Sequence, residues 1–68
     1  MEYTVKFNFN TMEGNEVTGM SGESDITSDD TPETLKESKE LIGLIANDMA
    51  QETGMNILSV DIQEINLK

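Results

Sequence analysis

Glu2-Tyr3-Thr4-Val5-Lys6-Phe7-Asn8-Phe9-Asn10 alternates without a slip. Tyr3, Val5, Phe7 and Phe9 take the odd positions, and polar side chains take the even ones. A period of two sends alternate side chains to opposite faces of a strand. Aromatic and β-branched residues suit that pleated surface. The stretch predicts a β-strand with one buried and one solvated face. The sheet it belongs to is therefore expected to be covered on one side only.

Downstream, Thr11-Met12-Glu13-Gly14-Asn15 ends in two residues that tolerate positive φ, so it reads as a hairpin turn. A second strand is expected from about Glu16 to Ser21. Its pattern is weaker, because Val17 and Met20 have opposite parity. A bulge at Gly19 would reconcile them. From Gly22 to Asp30 only Ile26 is apolar. Ser, Asp and Gly favour turns and local side-chain-to-backbone bonds. Residues 22–30 are therefore expected to form an exposed acidic loop anchored by Ile26.

The start of a helix is well marked. Thr31 can cap it, and Pro32 follows where a fixed φ and a missing N–H do no harm. Asp29, Asp30 and Glu33 lie at the positive end of the helix dipole. One helix is expected from Pro32 to Glu52 or Thr53, closed by a left-handed Gly54. At 100° per residue, Leu35, Ser38, Ile42, Ile45, Ala46, Met49 and Thr53 form the sheet-facing stripe. Leu41 flanks it, and Leu44 falls among charged residues.

Asn56 to Lys68 reads as a long third strand. Leu58, Val60 and Ile62 share one parity, while Ile65 and Leu67 have the other. Either a bulge near Gln63 and Glu64 restores the phase, or the strand extends past the helix and turns its second half toward a partner. The order β-β-α-β, with the right-handed crossover that such connections take, puts the first strand in the centre. The expected fold is a single small α+β domain over residues 1–68. It has two layers, one helix on a three-stranded sheet of order 2-1-3, with strand three antiparallel to strand one.

Composition limits the chemistry. A chain of 68 residues buries only about 60% of its unfolded surface. With no Cys and no His, disulfides and the usual zinc ligands are excluded. Oligomerisation, or good packing around the helix, remains to stabilise it, so a homodimer is one expectation. The first residues lack a basic segment followed by an apolar one, and no stretch has the roughly 20 apolar residues of a membrane span. The chain is read as cytoplasmic. The net charge of −10 repels phosphate backbones and anionic membrane surfaces. Lys6, Lys36, Lys39 and Lys68 are scattered and make no basic patch.

Catalysis is not expected. Acid–base and nucleophilic work usually needs a poised His, Cys or Lys. Carboxylate pairs can act alone, but one helix on a small sheet does not make the cleft that raises a carboxylate pKa. The acidic stretch from Asp25 lacks the glycine and glutamate that a calcium loop requires at its sixth and twelfth positions, which here hold Asp30 and Lys36. No cofactor or metal is expected, and a carboxylate metal binder is the most remote reading.

Between Glu13 and Glu33 lie seven acids and no Lys or Arg. Such a run suits solubility, and it also suits a basic or DNA-binding protein as partner. The first functional expectation is a non-enzymatic, protein-binding accessory protein. The alternative is an acidic inhibitor of the phage or mobile-element type, imitating DNA to block a DNA-processing enzyme. The candidate partner-binding residues are Glu23, Asp25, Asp29, Asp30, Leu41 and Leu44. Glu23 and Asp25 stand out as carboxylates with no evident structural reason.

Overall fold

In the computed structural model, which describes all residues from Met1 to Lys68, the alternating stretch forms the central strand. Strand β1 spans Glu2–Glu13, β2 Glu16–Thr27 and β3 Asn56–Leu67, in the sheet order β2-β1-β3. Both neighbours run antiparallel to β1. Helices α1 (Pro32–Lys36) and α2 (Lys39–Thr53) connect β2 to β3. The architecture is the expected α+β arrangement, with α2 as the main helix on a three-stranded antiparallel sheet. The odd-numbered side chains of β1 turn inward. Tyr3, Val5, Phe7, Phe9 and Thr11 are all buried. Leu35, Leu41, Ile45, Met49 and Ile65 close the core over them. No helix is long and apolar enough to cross a membrane.

The hairpin is tighter than expected. Both strands continue to Glu13 and from Glu16, leaving only Gly14 and Asn15 in the loop. Gly14 has φ +62° and no non-glycine residue has a positive φ, which is the pattern of a type II′ turn. The twist of that turn matches the strands, so pairing runs to the tip. Thr11, expected in the turn, is instead a fully buried strand residue whose hydroxyl donates to the Thr18 carbonyl at 3.4 Å.

The expected acidic loop over residues 22–30 is not a loop. Strand β2 runs on to Thr27, with Gly22, Ser24 and Ile26 opposite Phe7, Val5 and Tyr3. The alternation of small or apolar residues with acids was hidden by turn-favouring side chains. Pairing with the strong central strand overrides their local preference. The bulge expected at Gly19 is also absent, since the β1–β2 register is unbroken. Met20 lies opposite Phe9 on the core face, and Val17 lies opposite Met12 on the outer face.

Gly22 has a packing role. A Cβ built there would lie 3.0 Å from Cζ and 3.2 Å from Cε2 of Phe7. The buried Phe7 ring fills the space that a side chain on β2 would need.

Strand β3 contains two irregularities. Between Lys6 and Phe7 the register skips Gln63, which is the expected bulge. Between Asn10 and Thr11 it also skips Leu58. Leu58 was expected to share a face with Val60 and Ile62. The second bulge instead leaves it 51% exposed and turns Ile57 inward beside Thr11. Bulges bend a strand and increase its twist.

The expected single helix is two. Helix α1 ends at Lys36, and Ser38 is extended (φ −73°, ψ 115°). The Ser38 hydroxyl accepts from the Leu41 N–H at 3.2 Å, so it caps α2. This break resets the helical phase. The buried stripe becomes Leu41, Ile45 and Met49 at intervals of four, while Ile42 and Ala46 are half-buried. Thr31, Pro32 and Gly54 act as expected. Thr31 accepts from the Thr34 N–H, Pro32 opens α1, and Gly54 closes α2 in the left-handed region at φ 69°.

Gly22→Ala is expected to lower stability by about 1–3 kcal/mol, the usual cost of overpacking a core. Gly43→Ala, with nothing within 4 Å of its Cβ in α2, is expected to raise it by about 0.4–1 kcal/mol. Urea unfolding of the two variants beside the wild type measures both.

Candidate protein-interaction site

Strand β2 is an edge strand, and the layer above it is offset. Helices α1 and α2 lie closest to β3, at the opposite edge. The core face of β2 is built from Met20, Gly22, Ser24 and Ile26, of which Gly22 and Ser24 are too small to fill the gap. A groove therefore runs between β2 and α2.

At one end is a cleft of about 240 Å³ with an apolar floor of Ile26, Leu35 and Leu41, edged by Asp30, Glu40 and Leu44. One turn further along α2 is a second cleft of about 400 Å³, lined by Glu23, Ser24, Asp48, Met49, Gln51 and Glu52. The two clefts carry five carboxylates and no Lys or Arg. Asp30, Glu40, Asp48 and Glu52 make no ion pair.

The outer face of the sheet is different in kind. Lys6 stands between Glu23 and Glu64, at 3.9 and 3.8 Å. The Lys68 ammonium donates to Asp25 at 2.8 Å, and the Thr4 hydroxyl donates to the same carboxylate at 3.1 Å. Asn10 donates to the Ser59 hydroxyl at 3.0 Å. An open trough of about 620 Å³ lies around Lys6, and Phe7 is its only apolar lining residue. Hydrogen bonding to Lys68 comes first in holding the Asp25 carboxyl below its usual value; the Thr4 bond and the Lys68 charge add to it. The same bond raises the Lys68 ammonium above its usual value.

The structure separates the six candidate residues. Glu23 and Asp25 lie on a strand and have cationic neighbours in Lys6 and Lys68, so their acidity has a structural reason after all. Asp29 and Asp30 sit in the turn before α1. That turn is fixed by the Tyr3 hydroxyl, which donates to the Asp30 carbonyl at 3.1 Å, and by the Asp30 N–H, which donates to Ser28 Oγ. Leu41 is only 5% exposed and belongs to the core, because the break at Ser38 rotates it inward. Leu44 is 62% exposed at the rim of the groove.

Glu40, Asp48 and Glu52 were missed by sequence reasoning. The spacing of Leu44, Asp48 and Glu52 by four was visible, but a single continuous helix gives no reason to turn that row toward β2. No three His, Cys, Asp or Glu side chains are grouped closely enough to hold a metal ion. Comparison with known proteins finds no matching family model, curated protein or solved structure.

The Asp25–Lys68 pair makes the pH behaviour checkable. A depressed carboxyl pKa contributes stability that is present above the unfolded value and lost as pH falls through the folded one. A raised ammonium contributes stability that is present below its unfolded value and lost as pH rises through the folded one. The Asp25 carboxyl carbon should titrate by NMR below the ordinary 3.8 and rise toward it in Lys68→Gln, where the Thr4 bond remains. An unchanged Asp25 midpoint in that variant contradicts the pairing.

Proposed function

We propose that this protein is a non-enzymatic cytoplasmic accessory protein that binds a basic protein partner. One observation carries the reading: the groove between β2 and α2 joins an apolar floor to four carboxylates, Asp30, Glu40, Asp48 and Glu52, that make no ion pair. Burying apolar surface at the Leu44 end gives affinity. Uncompensated acids along the rim favour cationic partners, speed their approach and reject acidic ones. The partner side chains that fit best are basic ones with apolar stems, since Lys and Arg can lay their methylenes on such a floor and keep their charge at its edge.

Imitation of DNA is the weaker reading. Glu23 and Asp25 have the fixed spacing that a strand provides, which favours a mimic. Yet Lys6 and Lys68 sit among them, and a row of phosphates contains no cations. The Asp25–Lys68 contact is exposed and pushes both groups toward their charged forms, which is the behaviour of a surface ion pair.

The test is affinity capture from a host lysate with the wild type and with the double variant Glu40→Gln, Leu44→Ser. Both positions are exposed, so the fold should be retained. Basic proteins are expected to bind the wild type, to be released as salt rises, and to be lost from the variant. Equal capture by both proteins, or selective capture of acidic proteins, defeats the proposal.

A further inference from the structure

We infer that β2 accepts a fourth strand from the partner, an extended segment in which basic and apolar side chains alternate. This rests on the basic-partner reading above and names how the partner is held.

The backbone of β2 supplies the first observation. Met1 and Ser28 exchange both hydrogen bonds, Ser28 N–H to the Met1 carbonyl at 2.9 Å and the Met1 amine to the Ser28 carbonyl at 3.1 Å. In an antiparallel ladder the bonded pairs then alternate along the unbroken register. The even-numbered residues of β2 are bonded to β1. The N–H and C=O groups of Val17, Gly19, Ser21, Glu23, Asp25 and Thr27 therefore point to the free edge. An edge of this kind is a template for another strand.

The two edges of the sheet are not equivalent. Strand β3 is broken by bulges at Leu58 and Gln63, a device that blunts an edge. Strand β2 has no bulge, no proline and no lysine over its 12 residues.

Side chains then select the occupant. A strand added to β2 places alternate side chains on the two faces of the sheet. On the outer face they meet Glu23 and Asp25. On the other face they pass over Gly22 and Ser24 into the groove, where Met49 and Leu44 wait. Basic side chains fit the first set of places, because Lys6 is shared between Glu23 and Glu64 and three carboxylates there face only two lysines, and apolar ones fit the second. A second copy of this chain is the wrong occupant. Strand β2 carries Glu16, Glu23 and Asp25 and no cation, so pairing it with itself sets like charges side by side.

The probe is a synthetic peptide of alternating lysine and valine, about eight residues long, a common strand length. A peptide of the same composition, with its lysines and valines in separate blocks, is the control. Amide exchange is followed by NMR on the full-length protein. The alternating peptide is expected to slow exchange at Ser21, Glu23 and Asp25 while leaving their even-numbered neighbours unchanged. Ser21→Pro removes an edge N–H without touching a bond to β1, a position where proline is tolerated. It is expected to weaken the alternating peptide by about tenfold.

Salt-sensitive binding of both peptides alike, with the odd-numbered amides still exchanging freely, overturns strand addition and leaves the basic-partner reading standing. No binding of either peptide at about 50 mM salt, where exposed charges are little screened, overturns both. Odd-numbered amides that are already protected in the free protein, more so at higher concentration, show a second copy on the edge and also overturn the inference.

Discussion

The fold depends on how the Phe7 ring is housed. It is buried in the central strand, opposite Gly22 on one side and Ile62 on the other, with Phe9 tilted beside it at 5.8 Å between centroids. Glycine on β2 is what admits it. The consequence spreads outward. Because β2 contributes little bulk at Gly22 and Ser24, the helical layer is the only source of cover, and Met49 reaches to within 3.8 Å of where a Gly22 Cβ would lie. With nine apolar residues in the core, a domain of this size holds roughly 3–10 kcal/mol of stability. Removing a buried aromatic typically costs about 3–5 kcal/mol. One ring thus represents a large share of what keeps the chain folded.

The groove is the other face of the same fact. Small residues on β2 that make room for Phe7 also leave the space above β2 unfilled. Helices that settle near β3 keep it open. The acids then stand at the margins of a cavity rather than on a flat surface. Packing in the core and the open groove beside it come from one choice of small side chains.

Legibility followed the strength of local patterns. The alternation in β1, the caps at Thr31 and Gly54, and the change of parity before Ile65 were all readable, because each reports a local geometric requirement. The continuation of β2 past Ser21 was not. Gly22-Glu23-Ser24-Asp25 looks like turn chemistry, and only pairing with β1 makes it a strand. Ser38 was hidden for the opposite reason, since a capping serine inside an otherwise periodic helix resembles any other polar position. That single miss moved Leu41 into the core and concealed the row of Glu40, Leu44, Asp48 and Glu52 along the groove. The acidic run was legible as charge. Its division into paired and unpaired carboxylates needed the third dimension.

The unequal spans of the two ladders have a consequence for how the chain assembles. The hairpin closes through two residues, whereas β1 and β3 first meet at Met12 and Asn56. The longer closure costs on the order of 2 kcal/mol more in chain entropy. The hairpin can therefore pair before β3 arrives, and its two bulges give β3 a register that docking of the helices must help to select. Until then the second edge of β1 is bare, with Tyr3, Val5, Phe7 and Phe9 uncovered on one face. A bare edge of that kind invites pairing with a second copy. The net charge of −10, much of it carried on the hairpin and the segment just after it, opposes that encounter. The acidity then guards the unfinished molecule against aggregation, whatever it does for the finished one.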